Sequence, residues 1–436
     1  MLVQLSILKL VCIILRLTGI YSMLKFNIKL NVIFFTGMVL AMLAYEDFGH
    51  KKLIEYLDFS HTFYIAGYLV SHNLTDNLYL NPSNPDFTGD SGFHYYVHKL
   101  LPNLSKQMNT FFFYTPVTAL IFAPLSFLPL WQALFFWQSL SLLALNFSIK
   151  KITQLYQLES WNLVYRNILF FPVVITVLTG QVNICLGMLP LSLSYYCLKQ
   201  KAYFKAGLWL GCTLLKPQYL PIALLVSGSY LLTKKPQVIF GMVLAVISMI
   251  IMVCRLIGQK VFATWLVSFK VFDSIFTVNN LAYSRKLISS FIGCFLVTVP
   301  DYMRENVRQV IYFLALLLSL SCLYYCCKLL KDNPNNFPYI YILGIFILPV
   351  ISPHLLYYDL AVFTLASAII YSLKNEVLNF KKLILPIWVL INLDAIIIML
   401  VDKAQVIPAL IVQIGLLFSY LYTLYRIRQK LLIVAK

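Results

Sequence analysis

Charge is what this sequence has least of. Only 11% of its 436 residues are Asp, Glu, Lys or Arg, whereas 61% are hydrophobic. Mean hydropathy is +0.81. Soluble domains carry roughly 25% charged residues. Water could not solvate this much apolar surface and a single core could not bury it, so a soluble fold is excluded. Carboxylates are scarcer still, 16 against 34 Lys and Arg, for a net charge of +18. The nine cysteines are scattered through apolar runs without a CxxC pair. Neither a disulfide framework nor a cysteine-based metal site follows from that pattern, and the thiols read as small hydrophobes. No P-loop, Rossmann glycine motif or Gly-x-Ser-x-Gly elbow occurs, which argues against cytosolic nucleotide chemistry. No internal repeat is evident.

What remains is a series of apolar runs separated by short basic clusters. Lys150-Lys151, Lys199 with Lys201, Lys234-Lys235, Lys381-Lys382 and Arg426-Arg428-Lys430 are such clusters. This pattern marks cytoplasmic loops between membrane spans and contact with anionic membrane lipids. It lacks the basic, aromatic-interleaved face of a nucleic-acid binder. The expected fold is an all-α polytopic bundle of about twelve transmembrane helices in one domain, with both termini cytoplasmic. Residues 1–24 form an apolar or interfacial N-terminal segment, or a translated leader ahead of Met23. A first span near 30–45 follows Lys25 and Lys29. Residues 46–109 and 258–307 are expected to be extracytoplasmic. The Lys, Asn and Ile content suggests an AT-rich bacterial genome, and the expected location is the bacterial cytoplasmic membrane.

The first outer loop carries Glu46, Asp47, Glu55, Asp58, Asp76, Asp86 and Asp90, and every histidine except His354. His94 and His98 have helical i,i+4 spacing, but no HExxH pattern or ligand-spaced Cys/Asp cluster accompanies them, so a metal-independent protein is expected. Asp58 precedes a helical run from Phe59 to Val70. It reads either as an N-cap, accepting from free helix N–H groups, or as a functional carboxylate. Lys216 stands inside an apolar stretch beside Pro217. It reads either as a phosphate ligand in a cavity at a helix break or as a snorkelling lysine. Gln181 and Asn183 sit at a span junction, where interhelical hydrogen bonding is the plain alternative. His354 follows Pro353 near a helix end.

Read in order, these segments resemble the polyprenol-phosphate-sugar-dependent glycosyltransferases of family 87, which have the GT-C membrane fold. The matching segments are Asp58-Phe59 with Tyr64 and Ala66, Leu78-Tyr79, and Phe113-Tyr114-Thr115-Pro116 continued by Ala123-Pro124-Leu125 and Leu128-Pro129. Gly180-Gln181-Val182-Asn183 follows, then Gly207, Gly211 and Leu215-Lys216-Pro217, Asn279-Asn280, and Ser352-Pro353-His354. The resemblance spans about residues 25–370. Thr115 departs from the family's Pro, and Leu281 from its Ser. It implies an inverting transfer of mannose or another hexose or pentose from a polyprenyl-phosphate carrier to a glycolipid or glycan acceptor on the outer face. It further implies Asp58 as general base with His354 assisting. Lys216, Gln181, Arg285, Tyr64, Asn183 and Asn280 would hold the donor's phosphate and lipid. The aromatic stretch from Phe111 to Trp137 would line a groove for the prenyl chain. Three other readings compete: a secondary transporter, an oligosaccharide polymerase or ligase, and a membrane scaffold. The first predicts an inverted repeat, the second a later acceptor loop, the third a carboxylate-poor outer face.

Overall fold

The computed structural model describes residues 53–79, 92–106, 108, 110–158, 167, 170–277, 288–373, 380–400 and 407–434. Helices make up its regular structure, and no strand is found among the described residues. A lone antiparallel bridge joins Ile288 to Leu356. The α-helices, in order, are α1 Ile65–Ser71, α2 Gly92–Leu100, α3 Pro116–Phe122, α4 Leu130–Gln154, α5 Phe171–Leu178, α6 Leu189–Lys199, α7 Tyr203–Cys212 and α8 Leu220–Leu232. They continue as α9 Gln237–Leu256, α10 Gln259–Thr277, α11 Phe291–Thr298, α12 Asp301–Asp332, α13 Phe337–Ile351, α14 Phe363–Ser372, α15 Phe380–Leu400 and α16 Ile407–Val434.

The expected twelve spans are not reached among the described residues. By length and composition, five helices could cross a membrane: those containing Leu130–Gln154, Gln237–Leu256, Tyr302–Asp332, Pro334–Ile351 and Leu410–Gln429. A sixth crossing is added if Phe171–Leu178 and Asn183–Lys199, bent by 112°, are counted together. The difference lies in the breaks. Apolar runs that look continuous are cut by proline into helices too short to span. Pro129 separates α3 and its 3₁₀ extension from α4. Pro217 divides α7 from α8. Proline has no N–H to donate and biases the preceding residue away from the helical region. Lys216 accordingly has φ −129° and ψ 82°. The first span near 30–45 lies outside the described residues.

Lipid as solvent is written on the surface. In α9 and α12 most of the apolar window faces outward, with Phe240, Ile251, Phe313, Leu314 and Leu320 exposed. Where helices meet, small residues bring the backbones close. A Cβ on Gly207 of α7 would meet the Val238 carbonyl oxygen, and one on Gly241 of α9 the Phe204 carbonyl oxygen. This is the small-residue crossing expected where packing replaces the hydrophobic drive. The described part of residues 46–109, expected as the first outer loop, is folded and not an exposed strap. Phe59, Phe63, Ile65, Ala66 and Leu69 are fully buried, and Gly67 lets α1 pack against the Phe122 carbonyl. The segment from Phe59 is therefore packed into the protein. The second segment expected outside, residues 258–307, contributes α11, and Ser289 N donates to Leu355 O at 2.9 Å, docking it on the chain after Ser352-Pro353-His354.

Candidate active site

Two single turns of π-helix, Phe59–Tyr64 and Asn183–Met188, begin directly beside residues singled out in the sequence. π-turns are rare and recur at functional sites. Here they place Asp58 and the Gly180–Asn183 bend against each other. Phe59 N donates to Thr179 O at 2.9 Å, and Gln181 Nε2 donates to Asp58 Oδ2 at 2.6 Å. Gly180 makes the approach possible. Its φ is +69°, and a Cβ there would lie 2.5 Å from Phe59 Cβ and 3.0 Å from Leu134 Cδ1. Gly180→Ala should therefore cost about 1 kcal/mol or more, from backbone strain and overlap together. Melting in detergent checks this; an unchanged melting temperature would show that the bend relaxes.

Asp58 does not cap its helix. It is the residue before the π-turn, yet its side chain makes no capping hydrogen bond, which removes the N-cap reading. Its side chain is 29% exposed, and Oδ1 lies 3.5 Å from His61 Nε2. Burial pushes the His61 imidazole below its ordinary range, and the neighbouring Asp58 charge opposes that only in part. His61 is thus neutral near pH 7, and its Nδ1 lies 3.1 Å from Thr62 Oγ1.

From Gln181 the polar contacts continue inward. Tyr114 Oη donates to Gln181 Oε1 at 3.3 Å, and Lys216 Nζ donates to Tyr114 Oη at 3.2 Å. Lys216 Nζ also pairs with Asp359 Oδ1 at 2.7 Å, with both side chains fully buried. The Tyr114 and Tyr358 rings each lie 5.2 Å from the ammonium, a cation–π distance. Asp359 is held further by Asn183 Nδ2 on Oδ1 (3.1 Å) and by Leu356 N on Oδ2 (2.9 Å). Tyr219 Oη donates to the Asp359 carbonyl at 2.7 Å, and Gly187 gives the Tyr219 ring its space. A buried cation is tolerated only when paired and hydrogen-bonded, and every one of these contacts contributes to that.

Several sequence expectations come together and others do not. Asp58, Gln181, Asn183 and Lys216 converge from distant parts of the chain. Lys216 meets a carboxylate where the sequence suggested a phosphate. Tyr64 spends its hydroxyl on Leu128 O at 2.9 Å. Arg285 and Asn280 lie outside the described residues. His354 lines a cavity of about 540 Å³ with Ser352, Pro353, Gln218, Phe113 and Tyr114, and with Tyr312 and Leu316 of α12. Of the aromatic stretch expected to line a lipid groove, Phe113 and Tyr114 reach this cavity. Phe122 and Trp137 pack on each other in the core, 4.5 Å between ring centroids. No cluster of three or more His, Cys, Asp or Glu placed to hold a metal ion is found among the described residues. The His94 ring meets Thr110 Oγ1 at 3.2 Å instead.

Asp359 was missed as a site residue. A signal existed: a lone lysine in an apolar stretch demands a counter-charge, and Asp359 is among the few carboxylates in the later apolar runs. The model of glycosyltransferase family 87 matches residues 112–353, more than half of the chain. The match includes Tyr114, Gln181, Asn183 and Lys216; Asp58, His354 and Asp359 lie outside it. Neither a curated protein nor a solved structure matches the chain.

Proposed function

The chain belongs to glycosyltransferase family 87, and from that premise we propose that it transfers a sugar from a polyprenyl phosphate to a glycolipid or glycan acceptor at the extracytoplasmic face of a bacterial cytoplasmic membrane. The observation that carries the reading is Asp58: a carboxylate fixed through one oxygen by Gln181 yet partly open to an incoming ligand. The acceptor hydroxyl oxygen attacks the anomeric carbon. The bond from that carbon to the phosphate oxygen breaks, its electron pair leaves with the phosphate, and the hydroxyl proton passes to Asp58. One displacement inverts the anomeric centre. A retaining route needs a second carboxylate about 5 Å away as nucleophile. A phosphate leaving group needs no proton, only hydrogen-bond donors or positive charge around it. His354 and Gln218 supply polar groups at the cavity wall, and the apolar remainder suits the first isoprene units. Sugar donors carried on lipid need no nucleotide pocket, consistent with the motifs that the sequence lacks.

The test is sugar transfer by the purified protein in nanodiscs from a panel of radiolabelled polyprenyl-phosphate hexoses and pentoses. Transfer from any member, with inversion seen in the product's anomeric configuration, supports the reading. No transfer and no protection of a bound lipid phosphate would turn it towards a transporter or a polymerase.

A further inference from the structure

The polar contacts behind Asp58 form a series, and each link has one chemically sensible direction. The Lys216 ammonium has no acceptor capacity, so Tyr114 Oη accepts from it. That leaves the tyrosine proton for Gln181 Oε1, and the amide then presents Nε2 to the Asp58 carboxylate. The inner end is anchored by the Lys216–Asp359 pair, itself held by Asn183 and Leu356 N. The outer end is fixed by the Phe59–Thr179 backbone bond. Tyr114 has a second face, since its ring also borders the 540 Å³ cavity.

We propose that Gln181 and Tyr114 are positioning residues for Asp58: the Lys216–Asp359 pair fixes the Tyr114 hydroxyl, Tyr114 fixes the Gln181 amide, and Gln181 holds Oδ2 so that Oδ1 faces the acceptor. This rests on Asp58 being the general base. It assigns Lys216 to the support of that base, not to the donor phosphate. The groups facing Asp58 directly are His61 and Gln181, with Tyr114, Lys216 and Asp359 behind them. A hydrogen bond to a charged group that is lost from a reacting centre is worth roughly 10–100-fold in rate.

Because the links are in series, their loss should not add. Gln181→Leu is expected to lower kcat by roughly 10–100-fold with donor KM little changed. Tyr114→Phe keeps the cavity wall and removes only the hydroxyl, so it should lower kcat by less, again without raising donor KM. Tyr114→Leu should raise donor KM as well. The double variant Gln181→Leu/Tyr114→Phe should be no slower than Gln181→Leu alone. An activity-independent reading comes from carbodiimide–amine labelling of Asp58, followed by mass spectrometry. The rate of labelling should change in both single variants, and the double should match Gln181→Leu. Labelling identical to wild type in Gln181→Leu and Tyr114→Phe would overturn the proposal whatever the activity. Additive losses in the double variant, or a Tyr114→Phe enzyme with unchanged kcat, would do the same. If wild type transfers no sugar but labelling follows the series, the coupling to Asp58 stands and the glycosyltransferase donor reading fails.

Discussion

Asp58→Asn is expected to abolish sugar transfer, lowering kcat by about 10²–10⁴-fold, the range for losing a general base. The substitution is nearly isosteric. The asparagine carbonyl oxygen still accepts from Gln181 Nε2, now 2.6 Å from Asp58 Oδ2, so the bend at Gly180 and the π-turn at Phe59–Tyr64 remain in place. What disappears is the ability to take a proton. Donor KM should stay near wild type, because the cavity bordered by Tyr114, Gln218 and His354 does not change. The measurement is initial rate from a polyprenyl-phosphate sugar at equal folded yield. A variant within a few-fold of wild type would remove Asp58 as the base while leaving family membership intact.

The second large effect is on stability. Lys216→Met leaves the Asp359 carboxylate buried without its cation, and Asp359→Asn leaves the Lys216 ammonium buried without its anion. Breaking such a pair from one side costs about 3–5 kcal/mol. The double variant Lys216→Met/Asp359→Asn removes both charges. The amide introduced by Asp359→Asn would still accept from Leu356 N through its carbonyl oxygen. Its NH₂ group would stand where Asp359 Oδ1 accepts from Asn183 Nδ2, so Asn183 must turn its amide to offer Oδ1, giving up its bond to Tyr358 O; that lost bond is smaller than the cost of an unpaired buried charge. The double variant should therefore recover more than half of the stability lost by either single change. Melting of the four proteins in one detergent forms the cycle. A double variant less stable than both singles would mean that the side chains contribute through shape and not through their mutual charge. The three variants should also transfer sugar more slowly even where they fold, because the Lys216–Asp359 pair that fixes the Tyr114 hydroxyl is broken.

The parts legible from sequence were those governed by solvent and by single residues. Helical membrane character follows from the rarity of charge, and the chain break at Lys216 from the proline after it. Lys216 stood out as a charge in an apolar stretch, where lipid makes it costly, whereas Asp58, in a polar loop, and Gln181, at a span junction, gained their functional reading from the family resemblance. The number of spans was less legible. Hydropathy is a running average, and it does not register that Pro129, Gly180 and Pro217 cut apolar runs into helices shorter than a membrane.

By itself, the sequence determined the solvent, the secondary-structure class, the backbone breaks and the short list of polar residues. These depend on composition and on constraints acting over a few neighbouring residues. Tertiary structure alone decided the partners. Lys216 meets Asp359 across 143 positions and Asp58 meets Gln181 across 123, and no local pattern encodes which distant group answers a buried charge. It also decided that the Asp58 carboxylate is held by the Gln181 amide, brought in by the bend at Gly180, and not by the free N–H groups of the helical turn it precedes.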